Sequence, residues 1–356
     1  MAAFAIPINT DPAATPPPPD LVYVSDEAPG YTRVRKGTGF AYRDERGNYI
    51  KDKATLARLR ALVIPPAYGE VWICPRPDGH LQASGRDERG RKQYVYHPEW
   101  TAYRNQAKFL RLARFGHALP RLREQVAADL RRHGWPREKV LALVVRLLDA
   151  SLLRIGNRAY ARENQTYGLT TLRRKHLHVE GSKLTLEFKA KSGVHRKLQL
   201  RDRQLARLVK QCAALPGYEI FKYTDDDGNR RRVDSSDVND YLHEVTGERF
   251  TAKDFRTWGG STLALAELPT ACEDEIAAGG RRSLEACLMR RVARQLGNTV
   301  SVCREYYVHP AVLRVVAEGR TEHYLKAGTK RYRRHTDQLE PAEMQLLALV
   351  EDEVEG

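Results

Sequence analysis

The chain has few cysteines, and their arrangement excludes two common kinds of site. Five cysteines are scattered through 356 residues, without a Cys-x-x-Cys pair and with an odd total. A disulfide framework or a structural zinc site needs paired or closely spaced cysteines, so we expect neither. The pattern is typical of a reducing compartment and predicts a cytoplasmic location.

Long apolar runs and metal-binding motifs are missing as well. No apolar run is long enough for a membrane span, and Pro7 interrupts the apolar start of the chain. We therefore expect no signal peptide and no membrane partner. The acidic run Asp225–Asp227 lacks the alternating acids of an EF-hand loop and is interpreted as a turn, so no metal site is predicted.

Acidic residues are outnumbered by basic ones. The chain has 60 lysines and arginines against 45 aspartates and glutamates, a net charge of +15. Such a field favours a polyanionic partner, and aromatic residues mixed among the charges favour nucleic acid over mere solubility. Because 42% of the residues are hydrophobic, the chain can also supply the cores of two domains.

The composition and the hydrophobic pattern change along the chain, and together they predict an α+β fold. Residues 1–20 are rich in proline and are expected to form a disordered arm. Residues 21–101 contain short β-like segments separated by turns, which predicts a small β-rich N-terminal domain. Residues 102–356 are mainly helical in pattern and are expected to form a larger domain that begins with a linking helix at 102–130.

A segment near the end of the β-rich region combines charges with rings. Arg91, Lys92 and Tyr94 lie on or beside a predicted strand, where charge and ring could face one groove. Phosphate contacts with aromatic packing are one interpretation, and a solvated hairpin is the other. This segment alone does not decide between them.

Two basic residues of the larger domain have predicted positions that admit plain interpretations. A helix from Pro136 is expected to stop at Gly156, with Arg154 in its last turn, where the helix dipole favours a cation. Three strands over residues 175–200 place Lys191 at a hairpin tip, where most lysines are merely solvated. Each residue taken alone could be structural.

The helices predicted within residues 252–310 carry further candidates. Thr251 and Asp254 form a capping box, which places Lys253 and Arg256 in the first two turns of a helix. An arginine there opposes the helix dipole, which favours a functional role for Arg256.

A second pair of candidates follows the next helix. Gly297 is expected to end that helix in a left-handed cap, and Thr299 to cap a short new one. This arrangement brings Asn298 and Tyr307 onto closely joined elements. A tyrosine there is ordinarily a core or interface residue.

Taken in chain order, the candidates form a series that no single residue suggests. Arg154, Lys191, Arg256, Asn298 and Tyr307 occur in the contexts LRIG, KAKSG, KDFRT, LGNT and EYYVHP. With these contexts the chain resembles the type IB DNA topoisomerases, most closely the small bacterial and poxvirus-type enzymes. The resemblance extends from about Leu21 onward, and the run RIGNRAYARENQTYG at 154–168 is its most specific part.

The resemblance implies a fold, a reaction and a substrate. The fold is a β-rich domain and a mainly α-helical catalytic domain, of the tyrosine recombinase and topoisomerase IB type, that clamp duplex DNA as a monomer. The reaction relaxes supercoiled DNA by cleaving one strand through a 3′-phosphotyrosyl intermediate and religating it. It requires no ATP, metal or cofactor, and the expected location is the nucleoid.

The resemblance also implies a role for each candidate. The roles are nucleophile for Tyr307, contacts to the non-bridging oxygens for Arg154 and Arg256, a further hydrogen bond for Asn298, and general acid for Lys191. Lys253 is expected to hold Arg256, and Tyr160 to pack on the DNA backbone. Many relatives have histidine in place of Asn298, and asparagine cannot carry a proton charge. Many also have glycine in place of Ala190, which matters only if the backbone there needs a positive φ.

Two other functions are compatible with parts of the pattern. A tyrosine recombinase or integrase uses a similar set but usually has histidine three residues before its second arginine, where this chain has Lys253. A DNA-architectural protein needs only the positive charge and gives no reason for the five-residue series. Topoisomerase activity is therefore the prediction.

Overall fold

The computed structural model describes residues 18, 20–88, 90–277, 283–335 and 337–355. The chain forms two compact units, one up to Lys108 and one from Phe109 onward. This boundary falls within a long helix, α2 (Pro98–Leu130). The predicted proline-rich arm, residues 1–20, lies almost entirely outside the described residues.

The first unit is built on an antiparallel five-stranded sheet of order β2-β1-β3-β4-β5. Its elements are β1 Tyr31–Lys36, β2 Gly39–Arg43, α1 Lys53–Ala61, β3 Gly69–Ile73, β4 Leu81–Arg86 and β5 Lys92–Tyr96. Asp52 caps α1 through a hydrogen bond to the amide of Thr55 at 2.7 Å. Leu59 of α1 packs with Val71 and Ile73 of β3 to form the core of this unit.

The second unit is mainly helical. Its helices, with α2 shared at the boundary, are α2 Pro98–Leu130, α3 Arg137–Ser151, α4 Arg158–Glu163, α5 Arg203–Ala214, α6 Ser235–Thr246, α7 Ala252–Ala266, α8 Leu268–Ala277, α9 Leu284–Leu296, α10 Val300–Tyr306, α11 Pro310–Ala317, α12 Thr321–Arg331 and α13 Pro341–Glu355. Residues 140–145 of α3 are all buried, so this helix lies inside the core. Trp258 of α7 and Phe115 of α2 pack in the same core.

Two small antiparallel sheets accompany these helices. One contains β6 Leu177–Glu180, β7 Lys183–Lys189 and β8 His195–Arg201, in the order β6-β7-β8, and the other contains β9 Lys222–Thr224 and β10 Arg230–Arg232. A β-rich unit and a larger helical unit make up the predicted α+β fold class, which is confirmed. Among the described residues, no helix is both long and apolar enough to cross a membrane.

Candidate active site

Arg256 is fixed at the start of α7 by local and distant contacts. The predicted capping box is present, since the amide of Thr251 donates to Asp254 Oδ2 at 2.7 Å. One turn later Arg256 is 3% exposed. Its guanidinium donates through Nη1 to the carbonyl of Leu152 and through Nη2 to that of Leu296, at 3.1 Å for the second. Arg256 therefore ties the chain after α3 to the end of α9.

The helix before Arg154 ends earlier than its pattern predicts. Helix α3 stops at Ser151, and Leu152 adopts the left-handed conformation with φ 54° and ψ 25°. The side chain of Leu152 packs where a Cβ on Gly259 would stand, and its carbonyl accepts from Arg256. These tertiary contacts fix the end of the helix. The predicted position of Arg154 in the last turn is therefore wrong, and Arg154 lies in the non-helical segment between α3 and α4.

A close crossing of two backbone segments holds the segment that contains Arg154. The amide of Leu169 donates to the carbonyl of Arg154 at 2.9 Å. At the crossing, a Cβ on Gly168 would lie 2.5 Å from the Cα of Gly156, and Gly156 itself has φ +105°. Glycine is required at both positions, the first by contact and the second also by conformation.

Asn298 lies in the turn between α9 and α10. Gly297 adopts the predicted left-handed cap, with φ 61° and ψ 50°, and Thr299 caps α10 as expected. Asn298 Oδ1 accepts a hydrogen bond from Arg154 Nη2. Its Nδ2 is buried beside the Cys303 thiol, a weak acceptor, and makes no hydrogen bond among the described residues. The site therefore contains a buried donor that can still bind an acceptor.

The backbone of Tyr307 is held against α7 just after α10 ends. Its carbonyl accepts from Ser261 Oγ at 3.2 Å, and Ser261 Oγ in turn accepts from the amide of His309 at 2.9 Å. A Cβ on Gly260 would lie 2.7 Å from the Tyr307 carbonyl, so glycine permits this approach. The Arg256 guanidinium carbon lies 4.9 Å from the centre of the Tyr307 ring.

Positive charges dominate the electrostatics around Tyr307. Burial alone would raise the pKa of its phenol, but Arg256, Arg154 and Lys253 outweigh burial and lower the pKa from its usual 10.0. The neighbouring Tyr306 differs, since a hydrogen bond with Glu305 raises its pKa to about 12. Of the two adjacent tyrosines, Tyr307 is the one whose ionised form is stabilised.

Arg154 and Arg256 form a pair of like charges in the site. Burial, and then the charge of Arg256, lowers the pKa of Arg154. Among the described residues, neither Arg154 nor Arg256 forms an ion pair with a carboxylate. Like charges held together in a partly buried place are costly unless an anion joins them. The arrangement fits a phosphate.

Lys191 lies at the tip of the β7–β8 hairpin and is exposed. Within the described part of the chain, no hydrogen bond or ion pair joins it to the other four candidates. Ala190 has φ −90°, whereas Ser192 and Gly193 have the positive φ values, 65° and 79°. The alanine therefore requires no strain, and this departure from many relatives is accommodated.

Sequence analysis did not identify Arg196, which connects this hairpin to the site. It lies on β8, on the same face as Leu198 and Leu200, since side chains two apart share a face. Its guanidinium donates to the carbonyls of Arg294 and Gln295 at the end of α9. The signal in the sequence that could have identified Arg196 is an arginine on the otherwise apolar face of a strand.

Two further candidates, Lys253 and Tyr160, lie on helices of the second unit. Lys253 is exposed in the first turn of α7, and its charge acts on Tyr307. Tyr160 lies in α4, and its side chain is outside what the structure describes.

Three candidates lie in the first unit, at the start of β5. Lys92 pairs with Asp26 at 2.7 Å and lies 5.5 Å from the ring of Tyr94, which is 47% exposed. Arg91 pairs with Asp87 at 2.6 Å. Each of these charges is thus partly neutralised within the protein.

Residues 97–334 match the family model described as the catalytic core of eukaryotic DNA topoisomerase I, and this range includes all five catalytic candidates. The chain belongs to the type IB DNA topoisomerases. Its activity is that of a DNA topoisomerase, an isomerase that acts on DNA. Residues 39–87 match the N-terminal domain of bacterial DNA topoisomerase IB.

Relatives named as DNA topoisomerases match most of the chain. The DNA topoisomerase 1B of Acanthamoeba polyphaga mimivirus is 32% identical over 286 residues, which are 78% of this chain and 85% of the relative. The DNA topoisomerase I of monkeypox virus and the DNA topoisomerase 1B of vaccinia virus, strain Copenhagen, are each 22% identical over 244 residues. These matches cover 66% of this chain and 72% of each relative. The resemblance inferred from the sequence is confirmed.

Proposed function

We propose that Tyr307 cleaves one strand of duplex DNA through a 3′-phosphotyrosyl intermediate, which is then religated to relax supercoils. The observation that carries this proposal is a tyrosine with a lowered pKa beside two arginines that have no carboxylate partner among the described residues. Ionisation of the phenol and neutralisation of a phosphate both depend on such charges.

The proposed cleavage conserves the phosphodiester energy. Tyr307 Oη attacks the phosphorus and loses its proton, a new P–O bond forms, and the bond to the 5′ oxygen breaks. The 5′ oxygen leaves as a hydroxyl after gaining a proton. Because the phosphotyrosine keeps the bond energy, the reverse attack by that hydroxyl reseals the strand without ATP.

Arg154, Arg256 and Asn298 are proposed to bind the non-bridging phosphate oxygens. Two buried donors, Arg256 Nε and Asn298 Nδ2, have no partner among the described residues and support this role. Donors already fixed in a partly buried site stabilise developing charge without reorganisation. With two guanidinium groups for charge and an amide for a further hydrogen bond, we propose that the reaction needs no metal or other cofactor.

Lys191 is proposed as the general acid that protonates the 5′ oxygen. An ammonium group is a proton donor, and the hairpin tip leaves its side chain free to approach bound DNA. Lys191 would then approach Tyr307 when DNA binds, since catalytic contacts are often long in the free enzyme and shorten in the complex.

The first unit is proposed to complete a monomeric clamp around duplex DNA, preferably supercoiled. Residues 21–101 are the proposed DNA-clamp domain, residues 102–356 the catalytic domain, and residues 1–20 a separate arm. Arg91, Lys92 and Tyr94 would contact the duplex from the clamp domain, and Lys253 and Tyr160 from the catalytic domain. Since the proposed substrate is duplex DNA, the proposed location is the cytoplasmic nucleoid.

A plasmid relaxation assay tests the proposal. The protein should relax positively and negatively supercoiled plasmid in the presence of EDTA and without ATP. Tyr307→Phe should be inactive, whereas Tyr306→Phe, the matched loss of a neighbouring hydroxyl, should remain active. Relaxation by Tyr307→Phe, or a strict need for a divalent metal, would contradict it.

A further inference from the structure

Arg196 joins the β7–β8 hairpin to the end of α9. Its Nη1 donates to the carbonyl of Arg294 at 3.1 Å, and its Nη2 donates to that of Gln295 at 2.7 Å. The last carbonyls of a helix have no partners within the helix, and a forked guanidinium can bind two of them at once. Among the described residues, these two are the side-chain hydrogen bonds that join the hairpin to α9.

Gly297 provides the space for this contact. A Cβ at Gly297 would lie 2.7 Å from Nη1 of Arg196 and 2.8 Å from its Cζ. The residue after Gly297 is Asn298, whose amide donates to the carbonyl of Ala293 at 3.0 Å. Arg196 therefore contacts the same turn that positions Asn298 in the site.

The hairpin connects Arg196 to Lys191 by a short, well-bonded path. Arg196 is paired in register with Phe188 of β7, which is 4% exposed and belongs to the core. The amide of Ala190 then donates to the carbonyl of Val194 at 2.7 Å and closes the tip that carries Lys191. Movement of Arg196 relative to α9 would move the tip with it.

We propose that Arg196 is a positioning residue that fixes the Lys191 hairpin against the Asn298 turn. Arg196 itself is engaged with two carbonyls, so it acts through Lys191 and not on the phosphate. The Asn298 turn also has hydrogen bonds of its own, from the Asn298 amide to the Ala293 carbonyl and from the Val302 amide to Thr299 Oγ1, so we expect the loss of Arg196 to act mainly on proton delivery. This inference rests on the proposed role of Lys191 as general acid.

Single-turnover cleavage of two matched substrates tests the inference. One substrate has the natural 5′ bridging oxygen, and the other has sulfur there, whose thiolate leaves with little need for a proton. Arg196→Ala should slow cleavage of the oxygen substrate by about 10- to 100-fold, the order expected from misplacing a catalytic group. On the sulfur substrate it should cleave nearly as fast as the wild type.

Three further variants sharpen the test. Lys197→Ala removes an equal charge from the same strand, where Lys197 pairs with Glu187 at 3.3 Å, and should cleave normally. Arg196→Lys keeps the charge but lacks the planar fork that binds two carbonyls at once, so its smaller loss of rate should also be recovered on the sulfur substrate. In a Lys191→Ala background, adding Arg196→Ala should slow cleavage little further.

The outcomes separate the inference from the proposed function. If sulfur rescues Lys191→Ala but not Arg196→Ala or Arg196→Lys, the positioning role is overturned while the general acid stands. If sulfur fails to rescue Lys191→Ala itself, the general-acid role fails and the inference fails with it. Should Arg196→Ala not fold, recovery of Arg196→Lys on the sulfur substrate decides the question.

Discussion

The Arg256 guanidinium carbon lies 4.9 Å from the centre of the Tyr307 ring while its nitrogens bind the carbonyls of Leu152 and Leu296. One buried side chain thus fixes the backbone after α3, the end of α9 and the charge beside the phenol. A residue with these connections should affect both the geometry and the ionisation of the site.

The first prediction concerns the ionisation of Tyr307. Because Arg256 lowers the pKa of this phenol, Arg256→Ala should raise it, and a higher pH should be needed to form the phenolate. Arg256→Lys keeps the charge and should shift the pKa less. The measurement is a spectrophotometric titration of each protein, from which the titration of the same protein carrying Tyr307→Phe is subtracted. An unchanged midpoint in Arg256→Ala would contradict the electrostatic assignment.

The second prediction concerns Asn298 as an uncharged donor. Asn298→Ala should slow cleavage by about 10²–10³, the usual effect of losing one donor to a developing charge. Asn298→His can become cationic, so its cleavage rate should gain a pH-dependent step near the ordinary histidine pKa of about 6.5. Single-turnover rates over a pH series measure both effects. Normal cleavage by Asn298→Ala would exclude a role in the reaction.

The third prediction separates proton donation from charge neutralisation. Lys191→Ala should slow cleavage of the oxygen substrate by about 10²–10⁴ and recover on the 5′-sulfur substrate. Arg154→Ala should stay defective on both substrates, because sulfur does not replace a bond to a non-bridging oxygen. If sulfur rescued both variants equally, the two roles would not be distinct.

Some parts of this site can be read from local sequence. The left-handed cap at Gly297 and the capping box of Thr251 and Asp254 depend on residues within one turn, so their patterns predict them. The end of α3 could not be predicted, because Leu152 is held by Arg256 and Gly259, about a hundred positions away. The contacts of Arg196 could not be predicted for the same reason, since its partners lie on α9.

The fourth prediction concerns salt. If the clamp neutralises about 5–10 phosphates, the slope of log affinity against log salt should be on the order of −5 to −9. Replacing Arg91 and Lys92 by alanine should flatten the slope, although each now pairs with an aspartate that DNA must displace. Arg76→Ala removes a charge that is likewise paired, with Asp78, and serves as the control. A slope near zero for the wild type would contradict a clamp.

The fifth prediction concerns stability. Glu343 on α13 is 7% exposed and accepts from Arg123 at 2.8 Å and from Trp258 Nε1 at 2.9 Å. Breaking a buried pair of this kind costs about 3–5 kcal/mol, so Glu343→Gln should lower the free energy of unfolding at pH 7 by an amount of this order. Urea denaturation followed by tryptophan fluorescence measures the change.

The pH dependence of that change has a definite sign. Burial alone would raise the pKa of Glu343, but Arg123 outweighs it and lowers the pKa from its usual 4.5. The stabilisation is therefore present above pH 4.5 and is lost as the pH falls through the lower, folded-state pKa. The wild type and Glu343→Gln should converge in acid, and a constant difference would show that charge is not its source.

The most direct test of the proposed chemistry is to identify the atom that becomes joined to DNA. A duplex whose downstream fragment is short enough to diffuse away should trap the covalent complex, which nuclease, protease and mass spectrometry can then map. We expect a single modified tyrosine, Tyr307, that carries a 3′-phosphorylated nucleotide, and a free 5′ hydroxyl on the released fragment. Attachment to Tyr306 or any other residue, or linkage through a 5′ phosphate, would contradict the assignment.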